Sequence, residues 1–187
     1  MFGLFGGKKK QERGLEEEVE SIPIKKLAEA QMSDRIRVLH EAEIDRIADY
    51  TGSADGFHKK LIEAGEYAES KGMYSRALEL YENAGNKGRK EAIRIHLGLD
   101  NEERAIELYG EEMNKIIDEF NGSPGSFWKK LIEAGEYAEK VAESEALSKE
   151  GKLRLLEKAA DNYEKAGDEG RKYSFAVVEK IEKMQSE

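Results

Sequence analysis

The chain uses one segment twice: Phe57-His-Lys-Lys-Leu-Ile-Glu-Ala-Gly-Glu-Tyr-Ala-Glu-Ser70 returns, almost unchanged, as Phe127-Trp-Lys-Lys-Leu-Ile-Glu-Ala-Gly-Glu-Tyr-Ala-Glu-Lys140. Each copy is followed by a matching run, Ala77-Leu-Glu-Leu-Tyr81 in the first and Ala159-Ala-Asp-Asn-Tyr163 in the second. A two-helix unit that recurs along a chain is typical of helical repeat proteins. The sequence therefore predicts an all-α fold made of helical hairpins.

The composition is that of a highly charged helical chain, since 38% of the 187 residues are charged and only two are proline. The net charge of −9 argues against nucleic acid as a partner, because neutralising phosphates requires a basic surface. The sequence contains no cysteine, which excludes disulfides, thiolate metal sites and a cysteine nucleophile. An intracellular, reducing compartment fits this composition, so we predict a cytoplasmic location.

The predicted organisation is a flexible tail at residues 1–20 followed by a single helical-repeat domain at residues 21–187. Within this domain the two repeat copies cover about residues 33–98 and 100–184. Ser21 as a capping residue, with Pro23 in the first turn, predicts a short helix that ends near Ala30.

The tail begins with an apolar run broken by glycines and continues with three lysines. This run is too short for a transmembrane helix or for the core of a secretory signal peptide. Two interpretations stay open: a disordered tail, which the glycines favour, or a small anchor in contact with a membrane or a partner groove. The anchor residues would be Phe2, Leu4, Phe5, Lys8, Lys9 and Lys10.

Two further helices are predicted from apolar residues at helical spacing, one after Ser33 and one upstream of the second copy. We interpret the first stripe as a core face, and it consists of Ile36, Leu39, Ile44, Ile47 and Tyr50. The second stripe consists of Ile106, Tyr109, Met113, Ile116, Ile117 and Phe120. An insertion around residues 141–152 contains no proline, and we expect it to lengthen both helices of the second hairpin.

Glycines inside the repeated segment predict a close contact between helices. A glycine within a helix costs roughly 1 kcal/mol relative to alanine, so Gly65 and Gly135 indicate that a neighbouring backbone comes close at both places. We expect Tyr74 and Tyr81 to fill the space around this contact. The glycine-containing runs at 85–88 and 167–170 are interpreted as turns, because no strand precedes them and the ending of a phosphate loop is absent.

The spacing of small and aromatic residues resembles that of a tetratricopeptide (TPR) repeat, and these residues are Gly65, Ala68, Gly72, Tyr74, Ala77, Tyr81 and Ala84. The run Ala77, Tyr81, Ala84, Gly88, Ala92 is also similar to the Sel1-like subclass, and the second copy matches at Gly135, Ala138, Ala159, Tyr163, Ala166 and Gly170. Two features depart from the pattern: the second hairpin is long, and alanine stands at 68 and 138 where an aromatic residue is usual. The resemblance implies a right-handed solenoid of stacked antiparallel helical hairpins that acts as a non-catalytic scaffold.

The carboxylates and histidines of the sequence do not form a pattern typical of an enzyme. Acidic residues recur at helical spacing in both copies, but their alternation with lysine is typical of a solvated helix surface. His40, His58 and His96 are dispersed, and none belongs to a Glu-x-x-His pattern. Aromatic and basic residues are adjacent at the start of each copy, which stacking on nucleic acid would require. An aromatic residue at the start of a helix can equally pack against a neighbouring residue as a hydrophobic staple. We predict no enzyme activity, no catalytic residues, no metal site and no cofactor.

The resemblance places partner contacts on the exposed positions of the first helix of each hairpin. In this sequence these positions are Lys59, Ile62, Glu66, Glu69, Lys129, Ile132, Glu136 and Glu139. For Ile62 and Ile132 two interpretations stay open, contact with a partner or packing against the neighbouring hairpin. The predicted function is a scaffold or adaptor that binds a protein or peptide in a helical groove. The alternative is a peripheral membrane-associated component attached through the tail.

Overall fold

The computed structural model describes residues 32–186, which form eight α-helices and, within this range, no β-strand. The predicted all-α class is thereby confirmed. The tail at 1–20 and the predicted helix at 21–30 lie outside the described residues. We number the helices α1 (Asp34–Ala48), α2 (Ala54–Ser70), α3 (Tyr74–Asn83), α4 (Arg89–Gly98), α5 (Glu102–Asp118), α6 (Pro124–Ala142), α7 (Lys149–Lys165) and α8 (Arg171–Ser186). Short 3-10 helices at Gly85–Lys87 and Gly167–Glu169 precede α4 and α8.

Each helix packs mainly against its neighbours in the chain, and the buried side chains form two clusters. The first cluster draws on α1 to α5, and the second draws on α5 to α8. Helix α5 belongs to both, because Ala105 and Leu108 lie in the first cluster while Ile106 and Met113 lie in the second. This helix therefore joins the two halves of the described chain.

Local signals recur at the same places in the two halves. The side chains of Ser53 and Ser123 each accept a hydrogen bond from a backbone N–H three residues later, which caps α2 and α6. Gly85 and Gly167 both have positive φ, at 60° and 67°, a conformation that glycine adopts at low cost. The predicted turns at these glycines are confirmed.

The predicted close approach at Gly65 and Gly135 is also confirmed, but the neighbour is a tyrosine ring and not a backbone. A Cβ on Gly65 would lie 2.6 Å from Cε1 of Tyr81, and one on Gly135 would lie 2.7 Å from Cζ of Tyr163. Both tyrosines are almost completely buried. Their rings occupy the volume that a side chain would need, so glycine allows the aromatic residue of the next helix to pack against the backbone.

The predicted core face of α1 is only partly correct. Ile44 is fully buried and Ile47 is half-buried, whereas Ile36, Leu39 and Tyr50 are exposed. The physical reason is that α1 packs chiefly against α2, which covers only part of the apolar side of α1. Amphipathic spacing predicts which side of a helix is apolar, but not how much of that side a neighbour covers.

The apolar side of α5 is covered better, because helices pack on two sides of it. Ile106 and Met113 are buried, and Tyr109, Ile116 and Ile117 are half-buried against the second cluster. Phe120 is exposed, although its ring lies 5.4 Å from that of Phe127 in an edge-to-face arrangement.

The insertion lengthens both helices of the second hairpin, as predicted. Helix α7 has 17 residues where α3 has 10, and α6 has 19 where α2 has 17. Hydrogen bonds to α5 fix the start of α7. The backbone N and the Oγ of Ser148 each donate a hydrogen bond of 2.6 Å to a carboxylate oxygen of Glu102 on α5. A carboxylate at this end also interacts favourably with the helix dipole.

Candidate functional site

An open groove of about 680 Å³ lies along α2, beside the turn that leads into α4. Three of the predicted contact residues line it, since Lys59, Ile62 and Glu66 are three and four residues apart and share one side of the helix. The lining consists of Asp55, Gly56, Lys59, Ile62, Glu63, Glu66 and Lys87. The groove is therefore a surface with charged walls around one aliphatic side chain.

The charges of the groove are only partly neutralised. Lys87 Nζ lies 2.8 Å from Oδ1 of Asp55, and the hydrogen bond from Lys87 lowers the pKa of this carboxyl group. Lys59 and Glu66 are exposed and form no ion pair within residues 32–186. One positive and one negative charge, two helical turns apart, thus remain available to a ligand.

Ile62 combines the two roles that the sequence left open. Its side chain is half-buried and packs against the first core cluster, and the remaining part lines the groove. Ile132 is also half-buried, and it packs against the second cluster. Packing within the fold is therefore observed for both isoleucines, and for Ile62 it leaves an apolar floor under the two charges.

Glu69 and Glu139 are engaged inside the fold. Glu69 accepts hydrogen bonds from Arg94 at 2.8 and 2.6 Å and from Tyr81 Oη at 3.3 Å. Glu139 accepts one from Tyr163 Oη at 2.6 Å, and Lys180 Nζ is its second partner. Both carboxylates are partly buried. Glu69 links α2 to α4, and Glu139 links α6 to α8. Neither carboxylate lines the groove.

The corresponding surface of α6 carries the same predicted residues in a different electrostatic setting. Lys129 and Glu136 are exposed, as are Lys59 and Glu66 on α2. At the positions of Asp55 and Lys87, however, the second half has Gly125 and Glu169. Exchange of a lysine for a glutamate makes the surroundings of α6 more acidic, so the two surfaces favour ligands of different charge.

Four lining residues of the groove were not predicted from the sequence, although a sequence signal existed for two of them. Asp55 and Glu63 stand four residues before and after Lys59, so helical spacing alone places them beside it. Gly56 offers no side chain to recognise. Lys87 reaches the groove from the turn before α4, and its pairing with Asp55 spans 32 residues, which no local pattern can reveal.

Two lysines follow the aromatic residues of each copy, and the second of them is paired with carboxylates. Lys60 Nζ lies 2.5 Å from Glu63, and Lys130 Nζ lies 2.8 Å from Glu133 and 3.3 Å from Glu119. These ion pairs reduce the positive charge beside the aromatic rings, on which a phosphate backbone would depend.

Two of the histidines have defined partners within the fold. His40 Nδ1 lies 3.1 Å from Tyr67 Oη, and the buried His96 has its Nε2 3.0 Å from Oε1 of Glu82. Across residues 32–186, no three or more His, Asp or Glu side chains are grouped so that they could hold a metal ion.

Comparison of the chain with protein-family models, curated proteins and solved structures found no match. None of the helices between residues 32 and 186 combines the length and the apolar character needed to cross a membrane. The proposed anchor residues Phe2, Leu4, Phe5, Lys8, Lys9 and Lys10 lie outside the described residues, so membrane attachment stays a prediction.

Proposed function

We propose that this chain is a non-catalytic scaffold or adaptor of TPR- or Sel1-like helical hairpins, stacked as a right-handed solenoid, which binds a protein or peptide segment along α2. The observation that carries the proposal is the groove in which Lys59 and Glu66 flank Ile62. An apolar floor supplies contact area, and two separated charges of opposite sign select the register and direction of the ligand.

The chemistry of the groove specifies its ligand. A segment with an aliphatic or aromatic side chain would bury that side chain against Ile62. An acidic group of the segment would lie near Lys59 and a basic group near Glu66, about two helical turns or 10 Å apart. The α6 surface, with Lys129, Ile132 and Glu136 in more acidic surroundings, would accept a more basic segment.

The test is a peptide-display library panned against the full chain, followed by fluorescence anisotropy with the selected peptides. The groove variant is Lys59→Glu with Glu66→Lys, which reverses both charges without altering net charge. Lys129→Glu with Glu136→Lys is the matched control on α6. Because all four side chains are exposed, both variants are expected to melt like the wild type.

We expect one class of peptides to lose at least about tenfold in affinity, or about 1.4 kcal/mol, in the groove variant alone. Peptides whose affinity is the same for the wild type and both variants would exclude binding at these surfaces. The double change Ile62→Ser with Ile132→Ser is a weaker test, since both isoleucines also pack against the core clusters and their loss lowers stability as well.

A further inference from the structure

The two end helices of the described chain expose apolar side chains. On α1 these include Ile36 and Leu39, which we call the α1 face, and on α8 they are Phe175 and Val178, which we call the α8 face. Phe175 and Leu39 are each 67% exposed. Exposed aromatic and aliphatic residues on both end helices indicate contact surfaces.

The chain contains an internal junction of the same kind, where α4 packs against α5. Ile93 and His96 of α4 are 5% and 4% exposed, and Leu108 of α5 is 4% exposed. Ile93, Ala105 and Leu108 belong to one cluster of buried residues. This junction shows how the last helix of one half meets the first helix of the next.

The α8 face corresponds to the α4 side of that junction. Gly88 and Gly170 fix the alignment, because a Cβ on either would lie 2.8 Å from the carbonyl carbon of the preceding buried tyrosine. Counting from these glycines, Phe175 stands where Ile93 stands, and Val178 where His96 stands. These two positions are thus buried on α4 but apolar and exposed on α8.

The α1 face corresponds to the α5 side. His40 lies against the ring of Tyr67 as Tyr109 lies against the ring of Tyr137, with ring centroids 5.9 and 6.4 Å apart. This alignment also matches the buried Ile44 with the buried Met113. It places Ile36 at the position of Ala105 and Leu39 at the position of Leu108.

Charged residues that form ion pairs between the two halves have counterparts on the end helices of the described residues. Arg89 Nη1 lies 2.6 Å from Oε1 of Glu112. The corresponding residues are the exposed Arg171 on α8 and the half-buried Glu43 on α1. Within residues 32–186, each forms an ion pair only with a residue three positions away.

A second ion pair follows the same pattern. Glu82 of α3 and Arg104 of α5 lie 3.2 Å apart and join the two halves beside the internal junction. Their counterparts are Glu164 and Arg35, both exposed, and neither has an ion pair within the described residues. Apolar side chains and charges of both signs therefore recur in the register that the junction uses.

We propose that a second copy of this chain occupies these surfaces, with the α8 face of one copy docked on the α1 face of the next in the geometry of the α4–α5 junction. Phe175 and Val178 would cover Ile36 and Leu39, Arg171 would pair with Glu43, and Glu164 with Arg35. The two faces differ, so the contact is head to tail. It leaves one face of each kind free, and the assembly grows with concentration. This self-association is independent of the groove on α2.

The first test measures the mass of the full chain by sedimentation equilibrium over a wide concentration range. We expect the wild type to grow beyond a dimer, while Leu39→Glu and Phe175→Glu each remain monomeric. A mixture of the two variants retains one intact α1 face and one intact α8 face, so it should form a dimer and nothing larger. A wild type that stays monomeric throughout, or a mixture that forms no dimer, would overturn the proposal.

The second test exchanges charges across the contact. Arg171→Glu alone and Glu43→Arg alone should weaken association by about tenfold or more, and the two changes in one chain should restore it. Lys140→Glu, on exposed α6 surface, is the charge-matched control and should leave association unchanged. Failure of the double variant to recover would overturn the proposed register.

Two other occupants of the α1 face give distinct outcomes. If residues 1–31 of the same chain cover it, Leu39→Glu lowers the melting temperature and no assembly forms at any concentration. If a different protein covers it, the wild type is monomeric and the melting temperature of Leu39→Glu is unchanged. Either result contradicts self-association.

Discussion

Tyr163 occupies the space next to Gly135 so closely that its Cζ lies 2.7 Å from where a Cβ would stand. Tyr81 has the same relationship to Gly65. Each glycine therefore decides whether the following helix can bury its tyrosine, so both positions are sensitive to an added methyl group.

Gly65→Leu should destabilise the fold near the upper end of about 1–3 kcal/mol, the usual range for overpacking. Gly65→Ala should also destabilise the fold, because its Cβ would lie 2.6 Å from Cε1 of Tyr81. The ring of Tyr81 is buried, so it cannot move away without disturbing its own packing. Gly110→Ala is the matched control within a helix, since its Cβ would meet only Lys158 Nζ at 3.6 Å, and it should stabilise by about 0.5–1 kcal/mol. Urea unfolding measures all three, and an unchanged midpoint for Gly65→Leu would contradict the packing described.

Alkaline pH should destabilise the protein through its buried tyrosines. Burial raises the pKa of Tyr137 to about 12, and it raises the pKa of Tyr81 and Tyr163 as well. The folded state thus holds these protons more tightly than the unfolded chain, whose phenols titrate near about pH 10. Their contribution to stability is complete below about pH 10 and declines as the pH rises towards 12.

The measurement is the free energy of unfolding between pH 9 and 12 for the wild type and for Tyr137→Phe. We expect a shallower decline in the variant, because one titrating group is removed. Tyr50→Phe changes an exposed ring and is the control. Parallel curves for the wild type and Tyr137→Phe would contradict this prediction.

Arg89 and Arg171 occupy corresponding positions but should differ in their effect on stability. The side chain of Arg89 is 10% exposed and lies 2.6 Å from Glu112 and 3.0 Å from Glu111, whereas Arg171 is 69% exposed. Arg89→Met should cost about 1.5–3 kcal/mol, the range for hydrogen bonds to charged groups. Arg171→Met should change little. Thermal unfolding at low protein concentration compares them, and equal losses would be the contrary result.

Glu102→Ala should destabilise the second half through the start of α7. The change removes the acceptor of two hydrogen bonds from Ser148, which we expect to cost about 1.5–3 kcal/mol. Glu103→Ala is the matched control, because Glu103 is exposed and adjacent. Amide hydrogen exchange locates the effect: faster exchange in the first turn of α7 supports the cap, and exchange unchanged there rejects it.

Much of the fold could be predicted because its determinants are local and occur twice. Ser53 and Ser123 cap helices, and the glycines at 85 and 167 make turns, for reasons that a few adjacent residues contain. What could not be predicted depends on distant partners. Arg94 binds the carboxylate of Glu69, and Lys180 binds that of the equivalent Glu139. Yet Arg94 stands six residues after Gly88, whereas Lys180 stands ten residues after Gly170, the glycine that corresponds to Gly88. The same ion pair is thus made from different helical turns.

In the candidate site too, some features could be predicted from the sequence, whereas others depend on residues distant in the chain. The predicted contact residues came from the resemblance to TPR hairpins, and three of them, Lys59, Ile62 and Glu66, line the groove. The resemblance could not indicate that Glu69, three residues further on, would turn towards Arg94 and Tyr81. A carboxylate near two donors gains charge-assisted hydrogen bonds that a solvated one lacks, and the position of those donors is set by tertiary packing.

The position of α5 in both core clusters has a consequence for the kinetics of folding. Because helices contact mainly their chain neighbours, most contacts close short loops, and we expect fast folding without a large entropic barrier. Neither core cluster is complete without residues of α5. We therefore expect the cooperativity between the two halves of the described chain to depend strongly on the docking of α5, so that weakening it converts one unfolding transition into two.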